Sequence, residues 1–484
     1  MTELRGAMAG PRVGKNGRLF LGAQDGFDLD LFVDGGTWNR PMLDRWRATL
    51  ARRGRELARR GIPYIFFIVP DAPSVYPQDL PTEVPAGFRP PGEVFLEAMG
   101  AIENVIFVYP LADLLQAKGG LDLYQKNDTH WTSYGSYVGY RSLMRALEGL
   151  VPCRTVPARN VQFSFRRSYG DLGSLMHPEQ AEEIPVARIS GSDVASAVSY
   201  EGVGRQTATE TTCPDCLPKS RAIFFRDSFF TDLAPYVARS FSHLLTIGTT
   251  TRVMLDVIDS WHSDVVVSQV AERKLCFLET DHQLEGYDTL YKGVYGSPAG
   301  KRLLQARLGL GGNPAAALAL IDEDFDAYRG HPEQAFSAAL IYEANGQAES
   351  ADELAQNALA ARPTHASFLA LAARTALACR RASQAVELAG EAAMRAPYNG
   401  YFHELHTYCL MQDAQPRQAL AAAEDALGHI EDHANLWYWA SILQEAIGSK
   451  RLAADRAQRA HGLDPEHALY TEQVEKLKGL LQPA

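Results

Sequence analysis

The sequence contains no long hydrophobic run. Its most continuous apolar stretches, such as Ile65 to Val69 and Val265 to Val267, have the length of strands, far short of the ~20 residues a helix needs to cross a bilayer. No membrane span is expected. The first ten residues, Met1 to Gly10, lack the apolar core of a secretory signal, and the location expected from the chain as written is the cytoplasm. Cysteine is scarce: six residues (Cys153, Cys213, Cys216, Cys276, Cys379 and Cys409) in a chain of 484 do not make a disulfide framework. Cys213 and Cys216 stand in C-P-D-C, a spacing that suits an incidental loop pair, a local disulfide or half a metal clip. With no second C-x-x-C and no clustered histidine, no metal site is expected. Positive charge is also in deficit, 47 Lys and Arg against 58 Asp and Glu for a net charge of -11. A nucleic-acid or anionic-membrane face would work against that field, so neither partner is expected. No coenzyme A or nucleotide-binding motif is recognisable, and no bound cofactor is expected.

What is present is a globular composition, 46% apolar and 22% charged, in a chain of 484 residues. That length favours two or three units, each with its own core. The C-terminal third repeats. Ala351, Ala385, Ala419 and Ala453 form one series, and Ala358, Ala392, Ala426 and Ala460 a second. Ala339, Ala373, Thr407 and Ser441 keep the same phase, as do the helix-ending Pro363, Pro397 and Pro465, with Glu431 substituting once. A 34-residue unit with small residues where helices cross and a proline in the following turn resembles the tetratricopeptide repeat. Gly312 and Ala317 extend the phase into a degenerate first repeat. Residues 296–484 are therefore expected to be an all-α solenoid with no chemistry of its own, whose concave face recruits a protein partner or packs within the chain.

Residues 1–295 read as a second architecture. An arginine-rich helix from about Pro41 to Arg60 leads into a strand over Ile62 to Val69 that is apolar on both faces. Strands follow at Val105 to Val108, Ala222 to Phe225 and Asp264 to Val270. Helices are read at Leu111 to Ala117, Ser133 to Leu147, Leu233 to Ala238 and Val253 to Trp261. This alternation implies an α/β fold, a mainly parallel sheet with helices on both faces. Residues of about 152–220 break the pattern and read as a β/loop-rich insertion. Arg45, Arg47, Arg52, Arg53, Arg55, Arg59 and Arg60 share their helix with Asp44 and Glu56 and read as a solvated face.

Two motifs could carry chemistry. Phe224 to Phe230 places Ser228 just beyond a strand and before a helix, at the carboxyl edge of a parallel sheet, where ligands bind. Following backbone N–H groups could hold an oxyanion there, although Asp227 or Ser228 could equally cap the next helix. In Tyr124 to Gly135, Asp128 and His130 lie two residues apart at the mouth of a helix. A bent loop could bring the carboxylate to one imidazole nitrogen and leave the other for a serine hydroxyl. The same residues also suit a cap and a semi-buried histidine.

Taken with other blocks in one order, these motifs resemble the alginate O-acetyltransferase family of SGNH-like proteins, which carries a D-x-H-W signature. The blocks are Gly17 to Gly26, Ile68 to Pro81, Tyr124 to Gly135, Tyr169 to Gly173, Arg226 to Phe229 and Ser263 to Arg273. The resemblance implies a permuted SGNH order with Asp128, His130 and Ser228 as the triad. Arg226, Asp227, Tyr124, Lys126 and Arg273 become candidates for holding substrate or bracing the sheet edge. Gly170 becomes a candidate second oxyanion donor. Where the family usually has lysine after Pro70 and Asp71, this chain has Ala72.

The implied activity is O-acetyl transfer to a carbohydrate or polysaccharide hydroxyl. An acetylesterase is the alternative if water resolves the acyl-serine. A scaffold whose SGNH-like domain only binds glycan while the repeats recruit a biosynthetic partner is the alternative from another class. Relatives acting on exopolysaccharide imply a periplasmic location against the cytoplasmic one. The donor would be acetyl-CoA in the cytoplasm, or a membrane acyltransferase relay in the periplasm.

Overall fold

A computed structural model of the chain describes residues 10–24, 27–35, 38–176, 179–191, 194–201, 207–216, 219–284 and 295–481. Asp25 and Gly26, which close the first family block, and most of the N-terminal segment lie outside the described residues. The chain divides into two compact units. One comprises Met1–Ser199, Ala208–Val253 and Ile258–Glu279, and the other Tyr200–Thr207, Met254–Val257 and Thr280–Ala484.

The first unit is built on a seven-stranded sheet. In chain order, β1 is Tyr64–Val69 and β2 Val105–Val108; β3 (Val161–Ser168) and β4 (Glu182–Ile189) form a separate antiparallel hairpin. Then come β5 (Ala195–Glu201), β6 (Thr207–Thr212), β7 (Arg221–Arg226), β8 (His243–Gly248) and β9 (Val265–Ala271). The spatial order is β2-β1-β9-β7-β8-β6-β5, with β7 in the middle. Neighbours from β2 to β8 are parallel, while β6 runs antiparallel to β8. Part of the segment read as an insertion thus extends the main sheet by pairing with the outer edge of β8. Every residue of β1 and β9 is buried, as continuous apolar strands covered on both faces must be.

Helix α1 (Arg40–Arg59) starts at Asn39, whose side chain accepts from Met42 N–H. Its buried stripe runs Trp46, Leu50, Arg53, Leu57, the spacing of one helical face. The arginines therefore do not form a uniformly solvated face. Arg52 and Arg53 are buried, and Arg53 Nη2 donates to the Thr251 carbonyl at 2.7 Å. Phase on the helix places Arg53 inward, and a backbone acceptor meets its charge. Helices α2 (Leu111–Gln116), α3 (Ser133–Leu147), α4 (Gly170–Gly173), α5 (Phe230–Val237) and α6 (Leu255–Trp261) follow. Cys213 and Cys216 are buried and joined as a local disulfide just after β6.

The second unit is a helical array. Its helices include α7 (Pro298–Gly309), α8 (Pro314–Ala319), α9 (Pro332–Ala344), α10 (Ala348–Ala361), α11 (Ala366–Ala378), α12 (Ala382–Arg395), α13 (Gly400–Gln412), α14 (Pro416–Leu427), α15 (Ala434–Ala446), α16 (Lys450–Leu463) and α17 (Ala468–Leu481). First helices begin at 332, 366, 400, 434 and 468, and second helices at 348, 382, 416 and 450, each a step of 34 residues. All twelve small residues of the three periodic series are fully buried. A side chain longer than Ala, Ser or Thr would hold the crossing helices apart, which is why the period is legible in residue size.

Candidate active site

The nucleophile candidate sits on a short turn between β7 and α5. Ser228 is exposed, while the flanking Phe229 and Phe230 are buried and anchor the turn. Asp227 shapes it. Its Oδ1 accepts from Phe229 N–H at 3.0 Å and from Gln269 Nε2 at 2.8 Å, and its Oδ2 accepts from Ala271 N–H at 2.6 Å. One carboxylate thus ties the turn to the end of β9.

The histidine lies on a loop closed by a bridge between Tyr124 and Trp131. Gln125 N–H donates to the His130 carbonyl at 3.2 Å and Thr132 N–H to the Leu123 carbonyl at 2.9 Å. Thr132 then caps α3, its hydroxyl accepting from Tyr134 and Gly135 N–H. A Cβ at Gly135 would lie 2.0 Å from the Leu123 carbonyl oxygen, so only glycine lets the helix start this close to the loop. Buried Trp131 donates its indole N–H to the Phe229 carbonyl at 2.9 Å. The tryptophan of D-x-H-W therefore fastens the histidine loop to the serine turn.

The outcome is a continuous relay. His130 Nε2 is 2.7 Å from Ser228 Oγ. His130 Nδ1 is 2.6 Å from Asp128 Oδ1, which also accepts from His130 N–H at 2.9 Å. Burial alone would lower the His130 pKa, but the Asp128 hydrogen bond and charge outweigh it and hold the imidazole above its ordinary value. Burial pushes Asp128 the other way from its partners, yet the bonds from His130 and Asp171 leave it below its ordinary value. Both shifts favour a charged pair. That charged pair is the state reached when neutral His130 takes the serine proton as the hydroxyl attacks a carbonyl.

The remaining sequence candidates separate into braces and exposed groups. Tyr124 is fully buried and donates its hydroxyl to the Pro70 carbonyl. Arg273 is buried in an ion pair with Asp71, its backbone N–H donates to Asp71 Oδ2 at 2.6 Å, and its guanidinium stands 4.9 Å from the Phe229 ring. Asp227 is a brace by the bonds above. Arg226 is half-buried at the end of β7, and burial pulls its guanidinium below its ordinary value. The Lys126 side chain is exposed, while its carbonyl accepts from Leu19 N–H at 2.7 Å. Gly170 has φ +68° and opens α4 against Asn127.

Sequence reading passed over Thr129, Asp171 and Glu272. Glu272 is fully buried and accepts from Asp71 N–H, Ser74 Oγ, Gly92 N–H and Tyr109 Oη. Burial, with the Asp71 charge next in effect, pushes it up to about 7. It holds in place the loop that carries Asp71. Asp128, His130 and Asp171 offer ligand atoms within 4.8 Å of one another. His130 Nδ1 lies 2.6 Å from Asp128 Oδ1, and Asp128 Oδ2 accepts from the Asp171 backbone N–H at 2.8 Å.

An α/β unit with an Asp, His and Ser set at the carboxyl edge of a parallel sheet is of the SGNH hydrolase-like class. Residues 12–204 match the family described as SGNH hydrolase-like domain, acetyltransferase AlgX, so that stretch is similar to an SGNH hydrolase-like acetyltransferase domain. The match takes in Asp128 and His130 and ends before Ser228. A Pseudomonas fluorescens protein described as "Probable alginate O-acetylase AlgJ" is 30% identical over 108 residues, 22% of this chain and 27% of that protein. The chain thus spans about a quarter of the curated relative it matches. The solved O-acetyltransferase domain of Pseudomonas putida AlgJ is 18% identical, with 56% of this chain and 94% of that one covered at a TM-score of 0.39. A thermophilic TPR protein of Thermus thermophilus is 17% identical, with 37% of this chain and 98% of that one covered at a TM-score of 0.32.

Proposed function

We propose that the first unit is a serine-dependent O-acetyltransferase acting on a carbohydrate or polysaccharide hydroxyl. The observation that carries this reading is the relay of 2.7 Å from Ser228 Oγ to His130 Nε2 and 2.6 Å from His130 Nδ1 to Asp128, within a domain that matches an acetyltransferase family. Ser228 Oγ attacks the acetyl carbonyl of the donor, and His130 Nε2 takes its proton. The oxyanion is held by backbone N–H groups, for which Ser228 N–H and Gly170 N–H are the candidates. The donor's C–O or C–S bond then breaks, and the leaving group takes the proton from His130. In the second half, His130 removes the proton of a sugar hydroxyl, whose oxygen attacks the acetyl-serine. The new ester forms as Ser228 recovers its proton.

The exposure of Ser228 favours one competing outcome, hydrolysis of the same intermediate by water, which would make the protein an esterase when no glycan occupies the site. The buried Cys213 and Cys216 disulfide favours an oxidising compartment, hence the periplasmic alternative and a membrane acyltransferase relay over acetyl-CoA. The 34-residue array supports a protein-recruiting role for the second unit.

Intact mass spectrometry after incubation with p-nitrophenyl acetate or acetyl-CoA, with and without polysaccharide, tests the chemistry. The expected result is one acetyl group on the wild-type chain, lost to glycan when glycan is added, and a ~10³- to 10⁶-fold slower reaction in Ser228→Ala. Equal acetylation, or equal inertness, of wild type and Ser228→Ala would refute the proposal. Retention of the untagged protein with the cytoplasmic fraction after osmotic shock would overturn the periplasmic location.

A further inference from the structure

The Tyr169 to Gly173 block contributes no member of the relay, yet it docks directly on it. Leu172 and Gly173 N–H both donate to the Asn127 carbonyl, at 3.1 and 2.8 Å. Asp171 N–H donates to Asp128 Oδ2 at 2.8 Å, so both oxygens of Asp128 are engaged, one by His130 and one by this block. The Asp171 carboxylate accepts from Thr129 N–H at 2.8 Å and from Thr129 Oγ1 at 2.5 Å. It also stands 3.7 Å from His130 Nδ1. Gly170 makes the approach possible. Its φ is +68°, and a Cβ there would lie 2.1 Å from the Asn127 carbonyl oxygen and 2.9 Å from Asp128 Cβ.

We propose that Asp171 is a positioning residue of the site, clamping the Asp128-Thr129-His130 turn and placing a second negative charge beside the imidazole. The inference rests on the reading of His130 as the base. An imidazolium forms whenever Ser228 gives up its proton, and a carboxylate at 3.7 Å lowers its energy without touching substrate. Asp128 fixes the tautomer through the shorter bond, and Asp171 adds charge and holds the turn that Asp128 sits on. Its reach is long in sequence, 42 residues to Thr129, so no local pattern reveals it.

The groups that face His130 come from four segments. Asp128 and Thr129 lie on its own loop, Asp171 on α4, Ser228, Phe229 and Asp232 on the serine turn and α5, and Arg273 after β9. Asp128 and Asp171 raise the His130 pKa and Arg273 lowers it. Replacing Asp171 by asparagine keeps the backbone N–H that serves Asp128 and an oxygen for Thr129 N–H, and removes the charge.

The test is the full-length chain, wild type and Asp171→Asn, with the His130 ring followed by NMR across pH and identified by its loss in His130→Gln. A His130 midpoint shifted downward in Asp171→Asn is the expected result, together with an acetylation rate by p-nitrophenyl acetate reduced about 10- to 100-fold, the size of one charge-assisted hydrogen bond expressed as rate. KM should be unchanged, and Asp171→Glu should recover part of the rate. An unmoved midpoint in a folded Asp171→Asn chain overturns the proposal, whatever the activity. Because the titration needs no turnover, it stays informative even if Ser228→Ala proves as active as wild type, a result that would sink the catalytic reading instead.

Discussion

Asp227 gives a quantitative test of how the serine turn is held. Its carboxylate accepts three hydrogen bonds, from Phe229 N–H, Gln269 Nε2 and Ala271 N–H, and all three partners are buried. Gln269 Oε1 in turn accepts from Asp227 N–H at 3.3 Å. Asparagine offers one oxygen where aspartate offers two. If that oxygen keeps Ala271, the amide NH₂ faces Phe229 N–H. If it keeps Phe229, the NH₂ faces Ala271 N–H. Flipping Gln269 satisfies the new amide only by turning its own NH₂ onto Asp227 N–H. At least one buried backbone donor is orphaned in every arrangement, so Asp227→Asn should cost the first unit about 2–4 kcal/mol and Asp227→Ala up to ~5 kcal/mol. Two units make one melting temperature a poor readout. Hydrogen exchange of peptides spanning β7 to α5 and β9 reads the loss locally. The acetylation rate should fall ~10-fold or more with KM little changed, because Ser228 rides on the same turn. A variant that exchanges like wild type but shows a raised KM would refute the bracing role and make Asp227 a substrate contact.

The pH dependence of acetylation follows from the two shifted groups. His130 acts as a base only when neutral, and its raised pKa delays that state, so the rate should climb with a midpoint above the ordinary imidazole value of 6.5; a midpoint below it would contradict the charged pair. The stabilisation that His130 contributes is complete below its ordinary pKa and disappears as pH rises through the raised one, while that of Asp128 is present above its ordinary value of 3.8 and disappears as pH falls through the lowered one. Removing the chain from about residue 300 onward should leave Ser228-dependent acetylation by a small ester intact and abolish co-purification of a partner, whereas loss of the ester chemistry would show that the array completes the site.

The elements read correctly from sequence are those whose burial is written in side-chain type. β1 and β9 are apolar on both faces because both are covered, and α3 opens on Thr132 and spans Ser133–Leu147 as its cap and pattern require. The array is legible for a related reason: close helix crossings select small residues at a fixed period. β8 was not legible, since His243 to Gly248 carries a histidine and a threonine and follows α5 with few turn residues. Its strand character comes from pairing with β7 on one side and β6 on the other. Arg53 is the opposite case. Composition marks arginine as solvent-facing, but helical phase sets it on the same stripe as Trp46 and Leu50.

The site divides along the same line. Asp128, His130 and Ser228 announce themselves because acid, base and nucleophile are chemical capacities that residue type and spacing reveal. The groups that hold them within 2.6 to 2.7 Å of one another act through geometry. Trp131 acts through an indole N–H on the Phe229 carbonyl, Asp227 through one backbone donor of the serine turn and one of β9, and Asp171 through its own amide and a charge 42 residues from its contact. None of these is visible as a local pattern, since tryptophan reads as core and aspartate as a cap. What betrays them is that each sits inside one of the short blocks that carry the resemblance while lacking an obvious job in the reaction. A block without a chemical role is therefore the place to look for the residues that keep a triad aligned, and the Tyr169 to Gly173 segment, folded onto Asn127, Asp128 and Thr129, is the instance this chain provides.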